Sequence, residues 1–254
     1  MITITFLGTG TSQGVPMIAC ECAVCTSPDP KDKRLRTSIL VEQEGTSVVI
    51  DTGPDFRQQM LRENVKHLSA VLFTHEHKDH IAGLDDVRAF NYISGQAMDV
   101  FASPRVQEAL KREFFYVFSG ELYPGIPKLK LHTIQNVPFD ILGIRFVPVE
   151  VMHLNLPVYG FRMNDFTYIT DANFISEEEK EKIKGSKYLV LNALRREKHV
   201  SHFTLKEAVD LIEELKPEKA WLIHLSHQMG KHEDINKELP DYIRCAYDGL
   251  KLEV

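Results

Sequence analysis

The run His75-Glu76-His77-Lys78-Asp79-His80 sets three imidazoles and the Asp79 carboxylate within six consecutive residues, directly after the apolar stretch Leu68–Phe73. Neutral imidazole nitrogens bind transition metals well, and a carboxylate binds hard cations. Four such donors on one short turn cannot all face a single ion, because close neighbours point to different sides of the turn. The spacing therefore predicts two adjacent metal ions. A solvated polar loop would carry the same residues, but similar donors recur at later strand ends. His153 follows the strand-like Ile144–Val151, Asp171 follows Phe166–Thr170, and His224 closes Ala220–His224. Alone, a histidine at a strand end is more often a surface or hydrogen-bonded residue, and an aspartate before Ala-Asn more often a turn residue. Together with the run they read as ligands gathered from distant sequence.

Short runs rich in Val, Ile, Phe and Tyr must position these donors. They occur at Ile2–Leu7, Thr37–Glu42, Ser47–Asp51, Ala70–Phe73, Asp99–Ala102, Lys130–Ile134, Ile144–Val151, Val158–Met163, Phe166–Thr170, Tyr188–Leu191, Ala220–His224 and Leu250–Val254. Helix starts are marked at Ser103-Pro104, at Ser176 before three glutamates, and at Thr204 with Glu207 three residues on, a capping box ahead of Leu205, Ala208, Ile212 and Leu215. Pro54–Asn64 and Ile81–Ile93 complete the helical set. The mixture predicts an α/β layered fold. With 254 residues, 43% of them hydrophobic, and no linker or repeat, residues 1–254 are expected to form one domain. A net charge of −6 argues against general nucleic-acid binding. No stretch reads as a signal peptide or a membrane span, so the simplest expectation is a cytoplasmic protein with no membrane partner.

Cys20, Cys22 and Cys25 crowd into a C-x-C-x-x-C cluster, poor geometry for disulfides and better suited to metal ligation in a reducing compartment. Cys245 stands apart and reads as a buried structural thiol.

The H-x-H-x-D-H pattern of His75, His77, Asp79 and His80, with Asp51-Thr52-Gly53, His153, Asp171 and His224, resembles the metallo-β-lactamase superfamily. Gly8-Thr9-Gly10-Thr11-Ser12-Gln13-Gly14-Val15-Pro16, the cysteine cluster, His224-Leu225-Ser226-His227-Gln228 and Tyr247-Asp248-Gly249-Leu250 narrow the resemblance to PhnP-like phosphodiesterases. It implies an αββα sandwich of two mixed sheets flanked by helices, with two Zn²⁺ or Mn²⁺ ions at one edge. His75, His77 and His153 would hold the first ion, Asp79, His80 and His224 the second, and Asp171 would bridge them. Asp51 would orient a ligand, and Cys20, Cys22, Cys25 and His227 would hold a separate structural zinc. His202 would be a non-ligand catalytic group beside the reacting phosphate, with His199 the alternative at that place.

The implied reaction is hydrolysis of a small phosphodiester, a cyclic ribosyl phosphate being one form, by a hydroxide bridging the two ions. Asp79 would hold the nucleophile's remaining proton, and His202 as imidazolium would offset charge on the phosphorane. Arg195 and Arg196 lie near enough in sequence to contact a phosphate. A cyclic-nucleotide phosphodiesterase and a tRNA 3′-processing endonuclease are the enzymatic alternatives; a non-catalytic metal- or nucleotide-binding protein is the alternative from another class. A homodimer is compatible with all of these.

Overall fold

In the computed structural model, residues 1–120 and 125–254 are described. The first part of the chain lays down β1 (Thr3–Gly8), β2 (Ser38–Gln43), β3 (Thr46–Ile50), β4 (Ala70–Leu72), β5 (Met98–Ala102) and β6 (Leu129–Thr133). The second lays down β7 (Phe139–Ile141), β8 (Ile144–His153), β9 (Leu156–Met163), β10 (Phe166–Ile169), β11 (Phe174–Ile175), β12 (Tyr188–Asn192), β13 (Lys219–Ile223) and β14 (Ile243–Cys245). The last strand, β15 (Lys251–Glu253), returns to the first sheet, whose order is β15-β1-β2-β3-β4-β5-β6. The other sheet runs β11-β8-β9-β10-β12-β13-β14, with β7 paired to β8. Both are mixed. In the first, the pairings from β15 to β3 are antiparallel and those from β3 to β6 parallel. In the second, β11 to β10 pair antiparallel and β10 to β14 parallel.

Alternation along the strands explains the layers, since successive side chains point to opposite faces. Val48 and Ile50 of β3 face the second sheet, where Phe146, Phe161, Phe166 and Tyr168 meet them in a dry central layer. Val49, between them, faces outward with Leu40 and Val71 onto α1 (Phe56–Arg62), α3 (Arg88–Ser94) and α4 (Pro104–Glu113), through Phe56, Phe90, Val106 and Leu110. In β12, Val190 joins the central layer while Leu189 and Leu191 face α6 (Glu177–Ile183), α7 (Leu205–Leu215) and α8 (His232–Glu238). The result is the αββα sandwich expected from sequence.

The helix starts form as their caps dictate. The Ser103 and Ser176 side chains accept from the amides of Val106 and Glu179, and Thr204 and Glu207 complete a reciprocal capping box. The helix expected over Ile81–Ile93 is broken. A short α2 (Lys78–Ile81) gives way to a 3₁₀ turn at Leu84–Val87 before α3 begins. The break lies at Gly83, whose amide donates to the Thr52 carbonyl at 2.8 Å. A β-carbon there would lie 2.2 Å from the Gly53 carbonyl oxygen, so the chain must stay bare where it meets the turn after β3. The elements without a sequence signal, β7, β11, β14, α5 (Phe115–Phe118) and α8, are short, and no side chain caps α5 or α8. Among the described residues no helix is long and apolar enough to cross a membrane.

A buried cation ties the cysteine-bearing N-terminal segment to the C-terminus. Arg34 donates from Nη1 to Thr9 Oγ1 (2.8 Å) and the Ala246 carbonyl (2.6 Å), and from Nη2 to His232 Nδ1 (3.2 Å). Asp248 accepts from Thr9 Oγ1 and the Leu35 amide, and Asp32 from the His232 amide. Burial and the adjacent guanidinium lower the His232 pKa from about 6.5 to about 4. The unfolded chain therefore takes up this proton first. The stability His232 contributes is present above pH 6.5 and is lost as the pH falls toward about 4. Urea unfolding of His232→Gln is expected to show a shallower loss of stability across that window than the wild type. An unchanged slope would exclude this role.

Candidate metal centres

The donors of the main site sit where strands end or, for His77, Asp79 and His80, at the start of α2 just beyond β4. Asp51 follows β3, and its carboxylate accepts three hydrogen bonds: from the Thr74 amide (2.9 Å), Thr74 Oγ1 (2.8 Å) and His80 Nδ1 (2.7 Å). Because the Thr74 hydroxyl proton goes to Asp51, its oxygen accepts from His75 Nδ1 at 2.9 Å. Both histidines are thereby fixed with Nε2 turned inward. His153, at the end of β8, donates from Nδ1 to the Ser201 carbonyl (2.7 Å), leaving its Nε2 bare as well. His224 follows β13, with Nε2 3.2 Å from Thr11 Oγ1 and Nδ1 3.0 Å from Asp171 Oδ1. Asp171, just after β10, accepts from Thr170 Oγ1 at 2.6 Å. Its Oδ2 lies 3.7 Å from His75 Nε2 and 3.5 Å from His80 Nε2.

These contacts resolve into two groups whose donor atoms lie within 4.8 Å of one another: His75, His77, His153 and Asp171, and Asp79, His80, Asp171 and His224. Asp171 belongs to both. His75 Nε2, His80 Nε2 and His224 Nδ1 are buried without a hydrogen-bond partner. Such orphans are costly in an interior, by about 1–3 kcal/mol each, unless a ligand takes the lone pair. The donor set thus fits two divalent ions.

The electrostatics follow from histidines and carboxylates packed together out of water. Burial, reinforced by His80 and His77, holds the His75 pKa well below the usual range. Burial also opposes a proton on His80, but Asp171, Asp79 and Asp51 outweigh it and push its pKa well up. Burial alone would protonate Asp171, yet His224 and His80 hold it well down as a carboxylate. A metal held by His80 would require that ring in its neutral form.

Backbone strain marks the same residues. Asp51, Asp171 and His224 all adopt left-handed conformations, with φ of 66°, 58° and 56°. For residues other than glycine this region is uncommon and costs about 1–2 kcal/mol. Gly53 allows the 51–53 turn to press against the histidine run, since a β-carbon there would stand 2.2 Å from the Asp79 carbonyl oxygen.

His202 lies in the loop before α7 and is buried, its ring centroid 4.5 Å from that of His153 and 4.7 Å from that of His224. His199 stands farther out, 5.2 Å from His202, so it is His202 that abuts both groups. Burial, then His224, lowers the His202 pKa to about 3. His202 is therefore a neutral ring in the free site, where the resemblance implied an imidazolium. Arg195 and Arg196 do not turn toward the donors. Arg195 bonds Gln228 Oε1 and the Lys198 carbonyl, and Arg196 the Met229 carbonyl and Glu238, bracing the segment that carries His227.

A third group gathers Cys20, Cys22, Cys25 and His227. His227 Nδ1 lies 3.3 Å from Cys20 Sγ and 3.4 Å from Cys22 Sγ. The Cys25 amide and His227 lower the Cys22 pKa to about 6, while burial raises that of Cys25 to about 11. Three thiols and one imidazole suit a closed tetrahedral zinc. The cluster is remote in sequence from His227 and is held by packing of Val15, Val24 and Met17. Sequence reading missed the supporting groups Thr74, Thr11, Thr170 and the Ser201 carbonyl. Thr74 and Thr170 directly precede ligands, a usable signal; a backbone carbonyl leaves none.

The fold and paired donor groups define a metallohydrolase-type scaffold. Residues 46–225 match the family model described as "Beta-lactamase superfamily domain". The chain belongs to the metallo-β-lactamase superfamily. Within it the chain falls in the PhnP-like group: it is similar to a crystal structure described as a new diphosphatase from the PhnP family, 41% identical, TM-score 0.94, covering 100% of this chain and 98% of that one. An octanoyltransferase of Porphyromonas gingivalis is 40% identical over 248 residues, 96% of this chain and 50% of that protein. The chain spans about half the length of the curated relatives it matches first. The short form of human tRNase Z shares the fold, with 16% identity, TM-score 0.69, and coverage of 99% of this chain and 98% of the other.

Replacing Asp51 by alanine leaves the Thr74 amide and the His80 ring buried without their acceptor. Metal-free Asp51→Ala is expected to unfold in urea with a loss of about 3 kcal/mol. A loss below about 1 kcal/mol would show that Asp51 does not organise the site.

Proposed function

We propose that this protein is a dinuclear metal-dependent phosphodiesterase acting on a small phosphodiester. The observation that carries the reading is the pair of four-donor groups sharing Asp171, with His202 packed against a histidine of each. His75, His77 and His153 would hold one ion, Asp79, His80 and His224 the other, with Asp171 common to both and Zn²⁺ or Mn²⁺ suited to such N/O donors. Cys20, Cys22, Cys25 and His227 would hold a zinc that stabilises the fold. Two adjacent divalent ions, when bound, lower the pKa of water and neutralise phosphoryl oxygens.

The chain's own groups do the rest. Asp79 is mostly buried and stays ionised, because His80 and His224 outweigh the effect of its burial, so it can accept a hydrogen bond from the attacking water. His202, neutral in the free site, offers one N–H to a phosphoryl or leaving oxygen. A substrate anion raises its proton affinity and so recruits it as an acid. Phosphoryl hydrolysis agrees with the diphosphatase name of the 41%-identical structure. The tRNA-processing alternative has support from the fold alone and runs against the net charge of −6. A cyclic-nucleotide diester fits the same donors and belongs in the assay. Three clustered thiols kept reduced suit a cytoplasmic setting.

Metal analysis of purified protein is expected to give about three ions per chain. Diesters should turn over far faster than monoesters. His202→Ala should lose about 10²- to 10⁴-fold in kcat while keeping its metal. Metal loss in that variant would remove His202 from the chemistry, and selective turnover of a lactone would overturn the substrate class.

A further inference from the structure

Beside His77 and His153 opens a cavity of about 420 Å³, walled by Ser201 on the His202 loop, by Leu154, Asn155 and Leu156 at the β8–β9 turn, and by Arg105. It joins the first donor group to solvent and is where the part of a substrate beyond the reacting phosphorus can lie. Among the described residues of its wall, Arg105 alone carries a fixed positive charge. It stands in the first turn of α4, and its Nε donates to Glu76 Oε1, on the residue between His75 and His77. The guanidinium is thus tethered to the histidine run. That bond uses one of its five N–H groups, and among the described residues it is the only hydrogen bond the side chain makes. The Arg105 side chain remains 61% exposed. The other cation of the run, Lys78, is paired with Glu113. An exposed ion pair of this kind contributes little by itself, whereas a planar fork held by one edge is well suited to receive a phosphate on the other.

On the reading of this site as a phosphodiesterase, we propose that Arg105 is a specificity-determining residue that binds a second phosphate adjoining the scissile one, so that the favoured substrate is a diester of diphosphate. Leu154 and Leu156 would border the organic group beyond it. In that reaction water oxygen forms a bond to one phosphorus, and the bond from that phosphorus to the bridging oxygen breaks. The electron pair stays on the bridging oxygen, which leaves as the second phosphomonoester. The two protons of water are released to the phosphates or solvent, so a diphosphate diester and one water give two phosphomonoesters.

The test compares wild type, Arg105→Ala and Arg105→Lys, each with metal content measured, on diadenosine diphosphate and on bis(p-nitrophenyl) phosphate. The ratio of kcat/KM for the first substrate to that for the second is expected to fall about 10- to 100-fold in Arg105→Ala, mostly through KM, as loss of a charged hydrogen-bonding pair requires. Arg105→Lys should recover part of it, restoring charge without the fork. Calorimetry with methylenediphosphonate, which is not hydrolysed at its P–C–P bridge, should show Kd weakened by a similar factor. An unchanged ratio, or an unchanged Kd, would overturn the assignment and leave the phosphodiesterase reading intact. Turnover of neither substrate by fully metal-loaded wild type would overturn both.

Discussion

The Asp51 carboxylate is the hinge of this architecture. It is fully buried, where an ionised group is tolerated only with close compensation, and burial does raise its pKa. The compensation is the pair of Thr74 donors and the His80 ring. Those three bonds join the end of β3 to the turn after β4. They orient His80 directly and His75 through the Thr74 hydroxyl. One carboxylate thus sets the facing of two donor rings.

The two sheets divide the remaining work. The first contributes Asp51 and the histidine run, the second His153, Asp171 and His224, each at a strand end on the same edge. The central layer of Phe146, Phe161, Phe166 and Tyr168 against Ile4, Phe6, Val48 and Ile50 fixes their separation. Asp171 closes the assembly, since its two oxygens reach histidines anchored on both sheets. The site is therefore a property of sheet packing, and the donor geometry forms only when the core does.

Much of this could be read from residue order alone, for reasons specific to each element. The donors were legible because several imidazoles in one turn have few structural explanations and because His153, Asp171 and His224 each end a run of strand-forming residues. The capped helices were legible because Ser103, Ser176 and Thr204 act within three residues of themselves. The break at Gly83 was not, because it answers to Thr52 and Gly53, thirty residues earlier and visible only after folding. The protonation state of His202 was hidden for the same reason: its sequence neighbours say nothing of the rings of His153 and His224 pressed against it. Arg195 and Arg196, close to His202 in sequence, turn instead to the segment that carries His227.

The left-handed backbone at Asp171 and His224 limits what can replace them. Both positions would be relieved by glycine, whereas His75, His77, Asp79 and His80 lie outside that region of conformational space. Glycine there would release the backbone but give up the Asp171 contacts to His75, His80 and Thr170 and the His224 contact to Thr11, so the strain is held in place by the same side chains that form the donor groups.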